Sequence, residues 1–273
     1  MTSYDKTMEQ IYGLKLGEIG DEIPSRHFGF YPPGEPEIPL PDAQKRYIRE
    51  VTKHIKKGSY VLDIGCAFGE TSVWLARNLD CRVLGIDLVE SQIKHAREFA
   101  KKFDLEDRLE YRALNACDMD FPEETFDYVI SLGVLVHVPD KDAVFANAFK
   151  ALKKGGGIAF SDPILGEKSS WLTKQIAATV TFNVSFMQKV SEYEALMKKH
   201  GFSNIETLDV TETAFVKTWD LSKAEKYKTV LEPFKYENYF WARPSILNLA
   251  RMFARPSLMK RNWGWYFFWA EKE

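Results

Sequence analysis

Residues 61–71 read Val-Leu-Asp-Ile-Gly-Cys-Ala-Phe-Gly-Glu-Thr, and this pattern decides the fold. An apolar run ends at Asp63, the chain turns through Gly65 and Gly69, and helix-forming residues follow. Glycine lets the backbone amides of such a turn approach a ligand closely, and the start of the helix adds partial positive charge. The stretch therefore predicts a buried strand, a ligand-binding turn and a helix, in that order.

Short apolar runs alternate with predicted helices from residue 60 to about residue 210. The runs are too apolar for half-exposed strands and are typical of strands that are buried on both faces of a parallel sheet. We predict strands at 60–64, 82–87, 127–131 and 157–161, with helices between them at 70–78, 91–103 and 140–152. This alternation predicts an open α/β sheet with right-handed crossovers.

Local signals predict three further elements. Asp42 is a candidate cap for an amphipathic helix that precedes the first strand. Ser191 and Glu194 have the spacing of a capping box and Gly201 supplies a stop, which together predict a helix over 192–200. The aromatic run at 263–269 predicts a core strand with an aromatic face.

The residues of the turn indicate which ligand it binds. A dinucleotide needs the spacing G-x-G-x-x-G, which is absent here, and Asp63 would repel a pyrophosphate. An acid at that position suits a ligand that carries a cationic amine. Asp87 ends the next strand at the spacing from which a carboxylate takes ribose hydroxyls, so the pair favours a nucleoside. The alternative is that both acids only cap turns or helices.

The composition excludes several other classes of protein. The 273 residues include 37 basic and 39 acidic side chains, so no global basic field is available to hold nucleic acid. The longest uncharged run, 175–188, is shorter than the roughly 18 apolar residues that span a bilayer. The first ten residues are polar, and the three cysteines have no paired or metal-ligand spacing. We expect a soluble, reduced, cytoplasmic protein without a metal site.

Five segments in register resemble the motifs of class I S-adenosylmethionine-dependent methyltransferases. They are the glycine turn at 61–69, the strand and turn at 83–92, the residues 114–127, the strand and turn at 128–140, and the turn at 152–157. The resemblance implies a Rossmann-like α/β fold, in which a mostly parallel seven-stranded sheet has an antiparallel last strand. It also implies a helical cap, an N-terminal lid and S-adenosylmethionine as the cofactor.

The resemblance also implies cofactor contacts residue by residue. Asp63 would lie near the amino-acid end of the cofactor, Asp87 at the ribose and Asn115 at the adenine, with Asp118 as a competing candidate for the adenine contact. The remaining implied cofactor residues are Gly65, Cys66, Gly69, Leu88, Gln92, Ala116 and Ser131. Two residues depart from the usual motifs. Ala67 replaces a glycine, which requires a negative φ at that position, and Gly133 stands where glutamate is frequent.

Segments at both ends of the chain are similar to one small-molecule group of these enzymes. The group comprises tocopherol, sterol, cyclopropane fatty-acid and phosphoethanolamine methyltransferases, and the similar segments lie at 12–13, 27–31, 42–44 and 264–272. The likeness implies a lid segment at 1–42 and a methyltransferase domain at 43–273, with cap insertions at about 163–190 and 211–262. Tyr12, His27 and Tyr31 become lid or substrate candidates, although His27 and Tyr31 could instead pin the Pro-rich turn.

His137 follows the fourth strand and is the candidate catalytic base, with a structural role for this histidine as the alternative. The aromatic region 234–269 could roof the substrate, contact a membrane surface through a helix at 244–255, or pack in the core.

We predict methyl transfer to a small, apolar or amphipathic metabolite, with C- or O-methylation of a prenyl, sterol-like or phenolic acceptor favoured. The alternatives are N-methylation of a small amine, a methyltransferase of RNA or protein, a nicotinamide-dependent dehydrogenase and a non-catalytic nucleoside-binding protein. The sequence leaves the oligomeric state open.

Overall fold

A computed structural model describes residues 27–167, 169, 186–218 and 263–273. The strands are β1 (Tyr60–Ile64), β2 (Arg82–Asp87), β3 (Leu109–Ala113), β4 (Phe126–Leu132), β5 (Leu152–Leu165), β6 (Gln188–Lys189), β7 (Ser203–Asp209) and β8 (Trp263–Glu271). Seven of them follow the order β3-β2-β1-β4-β5-β8-β7, and the two-residue strand β6 pairs with β5. The last strand, β8, runs antiparallel to both of its neighbours, β5 and β7, whereas the other described strand pairs are parallel, which confirms the predicted α/β fold with an antiparallel last strand.

The helices lie where the sequence pattern places them, with small shifts at their ends. They are α1 (Leu40–Val51), α2 (Glu70–Leu79), α3 (Glu90–Lys102), α4 (Lys141–Ala151) and α5 (Val190–His200). The Asp140 side chain caps α4 by accepting from the Ala143 amide, and Gly201 ends α5 with φ 96°. A left-handed residue of this kind is the usual end of a helix.

Two predicted helix starts are wrong. Leu40 begins α1 after Pro39, so Asp42 lies in the first turn of that helix and does not cap it. Val190 begins α5, and the Glu192 carboxylate accepts from the Lys189 amide at 2.7 Å, which replaces the predicted pairing of Ser191 with Glu194. Proline is favoured in the first turn of a helix because its nitrogen carries no hydrogen that needs a partner. This property lets α1 begin earlier in the chain than predicted.

The sheet separates two apolar layers that form the core. Tyr47, Val73 and Ile93 come from α1, α2 and α3 and pack on one face. Phe145 and Tyr193 come from α4 and α5 and pack on the other face. Side chains alternate between the faces along each strand, so in β8 Phe267 joins the first layer and Phe268 the second.

The regions predicted as caps are only partly described. Residues 163–165 continue β5, because β8 pairs with this strand from Gly157 through Leu165. Residues 211–216 form one short π-helical segment after β7. Tyr12, residues 170–185, residues 219–262 and the proposed membrane helix at 244–255 lie outside the described residues. Within the described ranges, no helix is long and apolar enough to cross a membrane.

Candidate active site

The turn between β1 and α2 packs so closely that two of its positions require glycine. Gly65 and Gly69 have φ values of 74° and 80°. A Cβ atom on Gly65 would lie 2.3 Å from Val134 Cγ2, and one on Gly69 would lie 2.3 Å from Tyr111 Oη. Both distances are shorter than any real Cβ contact, so a larger residue does not fit at either position.

Hydrogen bonds to β2 hold the turn in place. The amides of Gly65 and Cys66 both donate to the Ile86 carbonyl, at 2.7 and 3.0 Å. The Cys66 side chain is buried beneath the turn, and a Cβ on Gly85 would lie 2.8 Å from its Sγ. Burial raises the pKa of the Cys66 thiol well above its ordinary value. The Cys66 side chain therefore belongs to the core.

Ala67 differs from our expectation, because its φ is 49° and not negative. An L-residue in this left-handed region costs roughly 1–2 kcal/mol, because its Cβ approaches the following carbonyl oxygen. The turn imposes this conformation, since the Ala67 amide must point toward Asp87 to donate its hydrogen bond. The strain lies directly in the predicted ligand-binding turn.

Replacing Ala67 with glycine is expected to raise the free energy of unfolding by about 0.5–1 kcal/mol, because glycine adopts positive φ without strain. Urea denaturation of the two proteins measures the difference. Ala113→Gly, in strand β3, is the matched control and should destabilise the protein. A loss of stability in Ala67→Gly as large as in the control would show that Ala67 is not strained.

Asp87 faces the glycine turn from the carboxyl end of β2. Its Oδ2 accepts from the Ala67 amide at 3.1 Å, and its Oδ1 accepts from the Val89 amide at 2.9 Å. The side chain is half-buried, so part of its carboxylate remains accessible beside the turn. This position suits an acid that takes ribose hydroxyls.

Asp63 lies near the end of β1, directly beside β2, and only 2% of its surface is exposed. Its Oδ2 accepts from Ser72 Oγ at 2.7 Å. Burial raises the pKa of Asp63 to about 7; the Ser72 hydrogen bond opposes this rise, and the negative charge of Asp87 adds to it. The two acids thus end adjacent parallel strands, as the pattern predicts. A buried carboxylate of this kind is stabilised by a cationic ligand group.

The residues implied for the nucleoside lie along the same edge of the sheet. Leu88 is half-buried after β2, and Gln92 is buried in the first turn of α3. Asn115 caps a short 3-10 helix at 116–118 by accepting from the Cys117 amide at 3.0 Å. Its amide oxygen retains a second lone pair for a ligand. Ala116 is half-buried beside it, whereas the competing Asp118 is exposed.

The end of β4 forms the neighbouring part of the site. Ser131 is buried, and its Oγ has no hydrogen-bond partner among the described residues. Gly133 has φ 73°, and a Cβ there would lie 3.6 Å from the Trp265 ring. An indole therefore lies beside this glycine. His137 follows, half-buried, at the end of a 3-10 helix at 135–137.

Four aromatic side chains surround this end of the sheet, and we call them the aromatic group: Phe28, Phe215, Trp263 and Trp265. The Phe28 ring meets the edges of Trp265 and Phe215 at centroid distances of 4.7 and 5.1 Å, and Phe215 meets Trp263 at 4.8 Å. Trp265 Nε1 donates to Tyr47 Oη at 2.8 Å. The sequence predicted a core strand at 263–269 and left open whether its aromatic side chains roof the substrate or pack in the core; two of its indoles belong to this group.

The described part of the lid segment, residues 27–42, crosses the start of α2. His27 stacks on Tyr47 and forms a 2.9 Å hydrogen bond with Thr71 Oγ1. Burial lowers the pKa of His27 to about 4, so its imidazole is neutral at physiological pH. The Tyr31 amide donates to the Thr213 carbonyl at 2.8 Å, which joins the lid segment to the π-helical segment. Within the described ranges, no cluster of three or more side chains could hold a metal ion.

Comparisons with known proteins agree with this geometry. A family model described as a methyltransferase domain matches residues 55–234. The methyltransferase GfsG of Streptomyces halstedii is 27% identical over 190 residues, which are 68% of each chain. Phosphoethanolamine N-methyltransferase of Triticum aestivum is 30% identical over 188 residues, but the matched part of this chain spans only 36% of that enzyme.

A solved structure supports the fold. The geranyl diphosphate C-methyltransferase of Streptomyces coelicolor A3(2), in complex with Mg2+, geranyl diphosphate and S-adenosyl-L-homocysteine, superposes with a TM-score of 0.74. The superposition covers 100% of this chain and 98% of that one, at 17% identity. The family model covers more than half of the chain, and the glycine turn with its two acids fits a cationic nucleoside. The chain therefore belongs to the methyltransferase domain family and is a class I S-adenosylmethionine-dependent methyltransferase.

Proposed function

We propose that the protein methylates carbon or oxygen of a small, apolar or amphipathic acceptor with a prenyl, sterol-like or phenolic skeleton. The aromatic group beside Gly133 is the observation that carries this proposal. Trp265 lies beside Gly133, Phe28 packs edge to face with Trp265 and with Phe215, and Phe215 packs in the same way with Trp263. Aromatic surfaces bind apolar skeletons and stabilise a developing carbocation, whereas a fixed cationic amine gains more from a carboxylate.

The cofactor, when bound, supplies an electrophilic methyl group on a sulfonium centre. The protein contributes placement of the acceptor and exclusion of water. We assign the cofactor contacts to Asp63, Asp87 and the turn through Gly65 and Gly69. The described part of the lid segment and residues 211–218 close the site together, which is supported by hydrogen bonds from the Gly29 amide to Thr218 Oγ1 at 2.8 Å and from the Tyr31 amide to Thr213.

His137 is proposed as the base that removes a proton from the acceptor. Its replacement by alanine is expected to lower kcat about 100-fold or more, because a positioned general base contributes roughly 10²–10⁴ to the rate. Affinity for S-adenosylhomocysteine should stay within about twofold. His200, which is half-buried at the end of α5 and bonds to Asp142 at 3.0 Å, provides the matched control His200→Ala. Equal kcat in both variants and the wild type at every pH would assign His137 a structural role.

A labelled-methyl screen tests the acceptor class. The purified protein, with radiolabelled S-adenosylmethionine, is offered prenyl diphosphates, sterols, phenols, carboxylic acids and small amines. We expect transfer to carbon or oxygen of an apolar acceptor. Transfer to amines alone would support the alternative of N-methylation, which the similarity to the wheat enzyme favours. Nucleoside binding without any transfer would favour a non-catalytic binding protein.

Two further assignments belong to this proposal. We place the protein in cytoplasmic small-molecule biosynthesis, because its three cysteines are all free thiols. We also propose that it binds no nucleic acid, since its net charge is −2. Association with anionic lipid vesicles in a sedimentation assay would instead indicate a peripheral membrane contact.

A further inference from the structure

The residues immediately before and after His137 both contact other parts of the protein. We call residues 134–138 the His137 turn. The amides of His137 and Val138 donate within it, to Val134 and Leu135, at 2.9 Å each. Val136, the residue before His137, is buried in a small apolar cluster with Leu165, Met187 and Trp263. The position of His137 therefore depends on what binds the backbone of this turn.

Lys141 binds the turn at Val138, the residue after His137. It is the first residue of α4 and only 4% of it is exposed. Its Nζ donates to the Val138 carbonyl at 2.9 Å and to the Phe186 carbonyl at 2.7 Å. A buried cation is costly, and the N-terminal end of a helix is electrostatically the wrong place for it. The two hydrogen bonds compensate for this cost, and they join the His137 turn to Phe186.

Asp162 and Tyr193 form a buried pair close to the turn. Both are fully buried, and Tyr193 Oη donates to Asp162 Oδ2 at 2.5 Å. Burial raises the pKa of Asp162 to about 7, whereas the Tyr193 hydrogen bond, the Lys141 charge and the Val136 amide all favour its ionised form. The acid thus lies near the backbone of the residue before His137, and Lys141 binds the carbonyl of the residue after it.

We propose that Lys141, Asp162 and Tyr193 are positioning residues that hold the His137 turn, and with it the end of the 163–190 insertion, in a single arrangement. The three come from α4, β5 and α5: Lys141 Nζ donates to the carbonyls of residues 138 and 186, Tyr193 Oη donates to Asp162, and Asp162 lies near the amide of residue 136. The role for catalysis rests on the proposed function of His137. The role for the conformation of the turn does not, and it can be measured separately.

Amide hydrogen exchange of the full chain tests the conformational part. Lys141→Met keeps the length and apolar contacts of the side chain and removes both hydrogen bonds. We expect exchange at the amides of His137 and Val138 to accelerate about tenfold or more, because local opening of the turn costs less free energy. S-adenosylhomocysteine affinity, measured by calorimetry, should stay within about twofold of the wild type.

The chain offers a matched control in Lys272. Its Nζ also donates to two backbone carbonyls, those of Phe149 and Leu152 at 2.8 and 2.7 Å, and it lies over an aromatic ring. Lys272→Met should leave exchange at His137 and Val138 unchanged. Equal acceleration in both variants, or none in Lys141→Met, would overturn the proposal.

A milder pair of variants covers the case in which Lys141→Met does not fold. Tyr193→Phe removes one hydroxyl from the network, and Tyr266→Phe removes the hydroxyl of another tyrosine–aspartate pair, which joins Asp209 at 3.1 Å. Only Tyr193→Phe should accelerate exchange in the His137 turn and lower kcat about three- to tenfold at unchanged KM. Accelerated exchange without any loss of kcat would retain the conformational role and refute the catalytic one. Unchanged exchange would refute both.

Discussion

Replacement of Asp87 with alanine is expected to weaken S-adenosylhomocysteine binding about 10- to 100-fold. A hydrogen bond to a charged acceptor contributes about 1.5–3 kcal/mol, and this acid is the assigned partner of the ribose hydroxyls. Its carboxylate also bonds the amides of Ala67 and Val89, so its loss loosens the glycine turn that forms the other wall of the site. Isothermal titration calorimetry measures the change directly.

Asp209 provides a control with the same local structure. It ends β7 and accepts from the amide two residues further along the chain, at Thr211, as Asp87 accepts from Val89. Asp209→Ala removes an equivalent hydrogen bond from a side chain to the backbone, but Asp209 lies outside the assigned cofactor contacts. We therefore expect the affinity for S-adenosylhomocysteine to stay unchanged. An Asp87→Ala protein that binds the nucleoside as tightly as the wild type would remove Asp87 from the ribose site.

Asp63→Asn is expected to stabilise the ligand-free protein at alkaline pH while weakening cofactor binding. The pKa of Asp63 rises from 3.8 to about 7 on folding, so the native state keeps a proton that the unfolded chain releases. Stability is therefore lost as pH rises from about 4 to 7. Asparagine does not titrate. The free energy of unfolding of the variant minus that of the wild type should therefore increase by about 2–3 kcal/mol between pH 5 and pH 8.

Urea denaturation of both proteins at pH 5 and pH 8 measures this increase in the difference of unfolding free energy. Asp127→Asn is the control. Burial opposes ionisation of Asp127, yet Lys153 and the Tyr60 amide lower its pKa below the usual value, so its variant should show no such growth. A constant difference between Asp63→Asn and the wild type would show that Asp63 ionises normally. The same variant should bind S-adenosylmethionine about tenfold more weakly, because a neutral amide attracts the cofactor cation less than a carboxylate does.

Much of the fold could be predicted because its signals are local. β1 and β2 have the predicted bounds, since a run of apolar residues buried on both faces ends where a polar residue meets the edge of the sheet. β5 extends four residues beyond its predicted end at Ser161. Its continuation through Pro163 depends on pairing with β8, about a hundred residues later, and no local signal encodes that pairing. A proline in a strand argues for an end when only the sequence is available.

The candidate site divides in the same way. The glycine turn and the acids at 63 and 87 could be identified because spacing along the chain places them at the ends of adjacent parallel strands. The aromatic group could not be identified. Trp265 reaches Tyr47 across 218 positions, and Phe28 meets Phe215 only after the sheet has formed. Lys141 looks like an ordinary helix-start residue until Val138 and Phe186 surround its ammonium group.

The sequence by itself determined the class of fold, the glycine turn and the two acids beside it, because hydrophobic period, glycine and charge act over a few residues. The tertiary structure alone decided that Ala67 has a positive φ, that an indole lies beside Gly133, and that buried Lys141 binds the Val138 carbonyl while Tyr193 donates to a buried Asp162. These features arise from contacts between elements that are far apart in the chain. How deeply the polar and charged groups are buried, and which partners they find, is fixed only when these elements pack together.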